Sequence, residues 1–520
     1  MEDKTMKKVF GIAAMLLALA SCNKVETEIQ PIDKAEGITI TATLAPKTAV
    51  TKAVADNGDN KITVTWAENE HIAILYEVES VKYAADAEIT AVDGEGAATI
   101  SFTVEPGTPD NTSCTLVYPL SAAKDDHSGV KDYAALLAAQ DGTLSANLDV
   151  RVGEGTIQTA TPGLTVTTQP EAQFAIFKFT TKNADGSATL DLKPLKVIID
   201  GQCFTIRPAV ATSEFYAALP PATGQTVGFS SILGTRLLAC SKASVSFSAG
   251  YYYQSVIKLN DVAEVSGSFT INSTGDQVHF SLGNLRAATS DLGEHWTWSF
   301  AEHPSDHLGK GGANEIINGN GSVSANGVVD LFAWSTPATY FGIYNSNSNA
   351  AYSGDFLDWG ANAITNGGNI AGLWRTLSHD EWVYVLYNRT TTSVRYAKAS
   401  LDGTSGIIIL PDDWNTSYHT LSGNNGFSDY SSNYVSAVDW TSDFEPHGAV
   451  FLPAGGRHHI NWDGTVIVDA SGSEVNFWSS TISEENTNIP YSISSDKSAF
   501  NWNYDGFYRQ YGISVRLVTE

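Results

Sequence analysis

Residues Ile38-Thr39-Ile40-Thr41-Ala42-Thr43-Leu44 alternate strictly between apolar side chains and threonine, the period-two signature of a strand with one face buried. Ile62, Val64 and Trp66 repeat it after the turn-prone Asp56-Asn57-Gly58-Asp59. Apolar runs at 72–75, 100–104 and 116–118 continue the series, and short strands at this spacing predict an antiparallel sandwich. The only helical stretch in this part, 133–140, is brief. Strands resume from about Ala160: 174–179, a turn at Asn183-Ala184-Asp185-Gly186, Leu190 and Leu192, 197–199, 215–221 and 251–259.

Further on the pattern is less regular. Residues 278–286 read as a strand entering a turn, and Trp296, Trp298 and Phe300 fall on one face of another. The Gly- and Asn-rich stretches 309–328 and 344–370 carry little apolar material and are expected to be long loops. Ser378 with Glu381 three residues on forms a capping box. Trp382, Val385 and Leu386 give that helix a buried stripe, and Arg389 sits at its C-terminal end. Asp380 and Glu381 are adjacent, so they point to different sides of the helix and serve structure rather than catalysis. Gly406-Ile407-Ile408-Ile409-Leu410-Pro411 and Gly448-Ala449-Val450-Phe451-Leu452-Pro453 echo each other as buried strands stopped by proline. Ile513, Val515 and Leu517 predict a closing strand that pairs with an earlier one above Trp478, with Ser514 and Arg516 on the opposite, unburied face.

Length and composition refine this pattern. A chain of 520 residues exceeds a single core and implies two or three domains. Lys and Arg number 30 against 57 Asp and Glu, a net charge of −27. So acidic a surface repels phosphate backbones and anionic membranes, so no nucleic-acid partner is expected. Eleven of the 12 tryptophans follow Ser266. That shift marks a domain change, with residues 261–267 as the linker.

At the start, Lys7 and Lys8 precede an apolar run, 9–20, too short to span a bilayer. It ends Leu19-Ala20-Ser21-Cys22, which resembles the bacterial lipobox. The resemblance implies a signal peptide over 1–21, a lipidated Cys22, a tether over 22–36 and an outer-membrane lipoprotein whose membrane contact is that lipid anchor. Cys114, Cys203 and Cys240 remain, read as small buried hydrophobes, although Cys203 and Cys240 could pair in an oxidising compartment.

Thr65-Trp66-Ala67-Glu68-Asn69-Glu70-His71-Ile72, Val117-Tyr118-Pro119, the 215–221 phrase and Gly250-Tyr251-Tyr252-Tyr253 resemble the fimbrillin-like proteins of Bacteroidetes. That implies two transthyretin-like β-sandwiches, over 37–155 and 156–260, and a role in building or anchoring surface pili. Polymerising members are trimmed by an Arg-specific protease; here the first arginine is Arg151, which favours an anchor, tip or free-standing surface protein. Trp374 to Ser378 with Trp382, the two Leu-Pro phrases, Trp478-Ser479-Ser480-Thr481 and 512–517 resemble the Fibrobacter succinogenes major paralogous domain family. That implies a loop-rich α+β, C-type-lectin-like domain over 268–520. The expected fold class is therefore mainly β: transthyretin-like antiparallel β-sandwiches followed by an α+β C-type-lectin-like domain.

Tests for chemistry lead away from an enzyme. No cysteine follows Ser266, His303 and His307 are interrupted by Pro304, and His458-His459 would diverge on a strand. Glu445-Pro446-His447 puts an imidazole where a calcium lectin needs an oxygen. No metal and no cofactor are expected, and 57 acidic residues single out no catalytic pair. Aromatics flanked by Asn and Asp suit stacking on sugar rings. They make Trp414, His459, Asn461, Trp462, Asp463, Trp502 and Asn503 the candidate ligand-binding residues, although any one tryptophan could instead be core. The reading is a surface adhesin binding host or bacterial glycans or proteins on a fimbrillin-like stalk. The alternatives are a pilus anchor or tip contacting other pilus subunits, and a glycan-active enzyme.

Overall fold

The structure, a computed structural model, describes residues 37–47, 50–51, 65–138, 140–144, 148–309, 314, 316, 323–343, 348–426, 429–460, 466–496, 500–504 and 507–520. The lipobox segment, Asp56 to Asp59, and Asn461, Trp462 and Asp463 lie outside them. The fold is mainly β, in multiple antiparallel sheets.

The first unit is one antiparallel sheet of seven strands: β1 (Ile38–Leu44), β3 (His71–Val78), β4 (Val81–Val92), β5 (Ala98–Val104), β6 (Thr112–Tyr118), β7 (Arg151–Gln158) and β8 (Gly163–Ala172), in the order β1-β5-β4-β3-β6-β7-β8. It rolls until its edges meet, where the Ala45 amide donates to Gln169 Oε1. Alternation then sends Ile40, Ile72, Ile74, Ile100, Leu116 and Ile157 into one enclosed core. On the outer face Ala73, Leu75 and Val117 join the core of the second unit.

That unit holds β9 (Ala175–Asn183), β10 (Leu195–Ile199), β11 (Gln202–Ile206), β12 (Glu214–Leu219), β13 (Ala222–Leu233), β14 (Arg236–Phe247) and β15 (Tyr251–Glu264). β15 changes partners midway. Its first half runs parallel to β9, from Tyr252 opposite Ile176 to Leu259 opposite Asn183. Its last residues run antiparallel to β14, ending with Glu264 opposite Arg236. The two-residue β2 (Val50–Thr51) adds in parallel at Tyr251 and Tyr252. Between the diverging β14 and β15 lies a cavity of about 340 Å³, walled by Phe177, Phe179, Phe229, Phe247 and Tyr253.

The C-terminal unit is built of short sheets. Leu517–Thr519 pairs with Gln277–Phe280 on one side and Arg375–Thr376 on the other, so the chain's end closes this unit. The echoing apolar phrases lie side by side, Ile407 opposite Leu452 and Ile409 opposite Val450. The capping box forms: the Glu381 amide donates to Ser378 Oγ, and the Ser378 amide to Glu381 Oε2. Trp382, Val385 and Leu386 are buried.

Several expectations are corrected. The division at 155/156 cuts through β7, whose partner β8 extends the first sheet to Ala172. Residues 261–264 are strand rather than linker. Beyond them Val265 shares one core with Ile198, Leu237, Leu373, Trp478 and Leu517, so the second unit and the C-terminal unit are fused. The 344–370 stretch is no bare loop: Tyr352, Trp359, Ile364 and Ile370 are interior. Cys203 is exposed, and it and Cys240 are free thiols on strands separated by β10 and β13. Arg516 is 1% exposed, because the closing strand has packed structure on both faces. Its guanidinium donates to the carbonyls of Ser281, Leu282 and Phe451 and to Asn284 Oδ1.

Candidate ligand-binding surface

Trp414 was a candidate sugar platform, and the structure places it in a core. It is 8% exposed, with Phe444 stacked on it at 5.4 Å between ring centroids and Tyr418 edge-on at 5.5 Å. Phe444 in turn stacks on Trp440 at 5.5 Å. Both neighbours occupy contact area that a sugar ring would need, so Trp414 supports a surface instead of forming it.

The supported residue is Tyr418. Asn415 opens a turn in which the Ser417 amide donates to Asn415 Oδ1 at 2.9 Å and the Tyr418 amide to the Asn415 carbonyl at 3.0 Å. Asn415 thus closes an Asx turn, and Tyr418 at its end is 41% exposed. His447 packs edge-on against its ring. Beside it His419 Nδ1 lies 3.0 Å from Asp443 Oδ2. The hydrogen bond from His419, helped by the Ser442 hydroxyl, holds the Asp443 carboxyl below its ordinary range. Burial raises the carboxyl of nearby Glu445. Tyr418, packed against Trp414 and His447 yet 41% exposed, presents the free part of its ring and its hydroxyl near the His419–Asp443 pair.

His459 stands elsewhere, on the hairpin of Arg457–Ile460 and Val466–Asp469, half-buried, with Nδ1 3.9 Å from Asp469 Oδ2. Trp502 and Asn503 lie on the strand Phe500–Tyr504. The structure therefore does not bring the candidates into one described site. Tyr418, His419, Asp443 and His447 were missed. The available signal was a single aromatic inside the polar turn Asn415-Thr416-Ser417-Tyr418-His419.

Asp291, Glu294 and His295 place ligand atoms within 4.8 Å of one another. Asp291 Oδ2 and His295 Nδ1 are already paired at 2.6 Å, and the hydrogen bonds from His295 lower the Asp291 carboxyl to about 2. Their mutual pairing accounts for the closeness. Among the described residues no helix is long and apolar enough to cross a membrane.

The fold defines a multi-unit, mainly antiparallel β protein whose exposed aromatic site sits on its C-terminal unit. No known family profile and no curated protein matches the sequence. Among solved structures, a fimbrial assembly protein from Parabacteroides distasonis is 14% identical, covering 47% of this chain and 94% of its own, with a TM-score of 0.26. A fimbrial protein from Bacteroides ovatus is 12% identical, covering 93% of this chain and 99% of its own, with a TM-score of 0.23.

Proposed function

We propose that the protein is a surface-anchored binding protein: the C-terminal unit takes a glycan, the two preceding β units hold it away from the membrane, and Cys22 carries the lipid. The supporting observation is Tyr418, presented by an Asx turn over the Trp414–Phe444–Trp440 stack beside His419, His447 and Asp443. Rigid stacked aromatics beneath an exposed ring fix its orientation, so little side-chain entropy is lost when a sugar stacks on it. A glycan array probed with the full chain is expected to give hits that Tyr418→Ala weakens by at least about tenfold, the scale of a central aromatic contact. An array with no hits, or hits unchanged in Tyr418→Ala, rejects the reading.

A pilus-subunit role is the second reading, supported by the gap between β14 and β15, where an apolar cavity faces strand edges unpaired with each other from Cys240 forward on β14 and from Leu259 back on β15. Finding the chain in isolated surface pili would favour it over a free-standing binder.

A further inference from the structure

Immediately after β1 the chain carries Lys47, whose side chain is 1% exposed. Its Nζ stands 3.7 Å from the centroid of the Tyr118 ring and 4.2 Å from that of Trp66. Asp149 Oδ2 lies 3.2 Å from the nitrogen and Glu70 Oε2 3.7 Å from it. The far side of Asp149 is held by Arg151, whose Nε donates to both carboxylate oxygens at 2.8 and 3.0 Å. Glu70 is fixed by the Tyr118 hydroxyl at 2.7 Å and the Ala67 amide at 3.0 Å. Burial lowers the Lys47 ammonium pKa, opposed by Asp149 and Glu70 and helped by Arg151.

An ion pair is the simplest use of such a cluster, but the same arrangement also suits a reaction. A buried amine 3.2 Å from a carboxylate oxygen, against two aromatic rings that shut out water, places its nitrogen beside the carboxyl group that would acylate it. A guanidinium on the carboxyl oxygens withdraws charge and stabilises the oxyanion formed on attack. A second carboxylate beside the nitrogen can carry protons.

We propose that Lys47 and Asp149 join in an intramolecular amide bond, with Glu70 as the proton carrier. Glu70 takes a proton from the ammonium, and the freed Nζ lone pair attacks Cγ of Asp149. The resulting tetrahedral oxyanion rests on Arg151. Glu70 passes this proton, then a second from the nitrogen, to one Asp149 oxygen, which leaves as water when its bond to Cγ breaks. Of three ammonium protons, two leave in the water and one stays on the amide. Glu70 and Arg151 finish as they began, and no oxidant or cofactor is consumed. The bond would tie the segment following β1 to the residue two before β7.

Tryptic mapping of the full chain by mass spectrometry tests this. Acylated Lys47 resists trypsin, so residues 35–52 are expected to be recovered joined to residues 132–151, lighter than the two peptides together by one water. Recovery of free 35–47 and free 132–151, with no joined species, overturns the proposal. Glu70→Gln, which can still accept from Tyr118, is expected to give only the free peptides. If it cross-links as fully as the unaltered chain, the assignment of Glu70 is wrong. In Asp149→Ala trypsin is expected to cut at Lys47; a block there would show that Asp149 is not the partner.

Discussion

Arg516 donates four hydrogen bonds from a site 1% exposed, and among the described residues no carboxylate pairs with it. Burial pulls its pKa down, while four oxygen acceptors favour the charged form. Arg516→Met would strand the carbonyls of Ser281, Leu282 and Phe451 and is expected to cost about 3–5 kcal/mol, read from urea unfolding. His458 is fully buried and neutral, its pKa lowered to about 4 by desolvation with a smaller push from His459. The unfolded chain binds this proton from about pH 6.5 downward and the folded chain only near 4. Stability is therefore intact above about 6.5 and falls by up to about 3 kcal/mol as the pH drops to 4. In His458→Asn that slope should flatten; an unchanged slope would assign it to other groups. Neither residue's burial was legible beforehand. Period two separates one face of a strand from the other, but it cannot tell that a loop-rich unit covers both faces. Trp414 failed for a related reason: Asp412, Asp413 and Asn415 flank it in sequence, while the ring stacked on it belongs to Phe444, 30 positions further on.

Elements whose cause is local were readable. Ser378 and Glu381 close their box within one turn, and Ile38 to Leu44 alternate as they pair. The partner switch of β15 was not, because Asp261-Val262-Ala263-Glu264 is polar enough to pass for a linker, and only its ladder with β14 reveals a strand. The turn into the closing strand shows how tightly such elements are fitted. A Cβ on Gly512 would collide with the His458 ring at Nδ1, while the two backbones exchange hydrogen bonds at 2.8 and 2.9 Å. Gly512→Ala must break that bridge and is expected to lower the unfolding free energy by about 3 kcal/mol or more, read as a fall in the urea midpoint. A neutral result would mean that the segment relaxes freely.

Across the whole molecule, length and tryptophan distribution predict two or three units, but the packing that joins the second unit to the C-terminal one was not legible. Leu237 on β14 is fully buried against the C-terminal unit, Arg207 bonds Glu520 at 2.8 Å, and a Cβ on Gly372 would collide with the Gly201 carbonyl. Interfaces of this kind depend on surface shape, for which sequence alone has no period. Leu237→Ala is expected to cost about 2–4 kcal/mol and to shift the tryptophan fluorescence transition, although all tryptophans except Trp66 lie beyond Ser266. Failure of that transition to move would show that the units unfold separately. The Lys47 cluster adds a mechanical consequence. A pull at Gly37 acts first on the seven-residue ladder between β1 and β5, the one strand β1 pairs with among the described residues. Once β1 yields, tension reaches Lys47, and the carboxylates around it pass the force into β7, inside a sheet flanked by β6 and β8. With Lys47 joined to Asp149 as proposed, only the stretch from Gly37 to Lys47 can peel away before the covalent link takes the load, so β1 works as a short release ahead of a fixed stop.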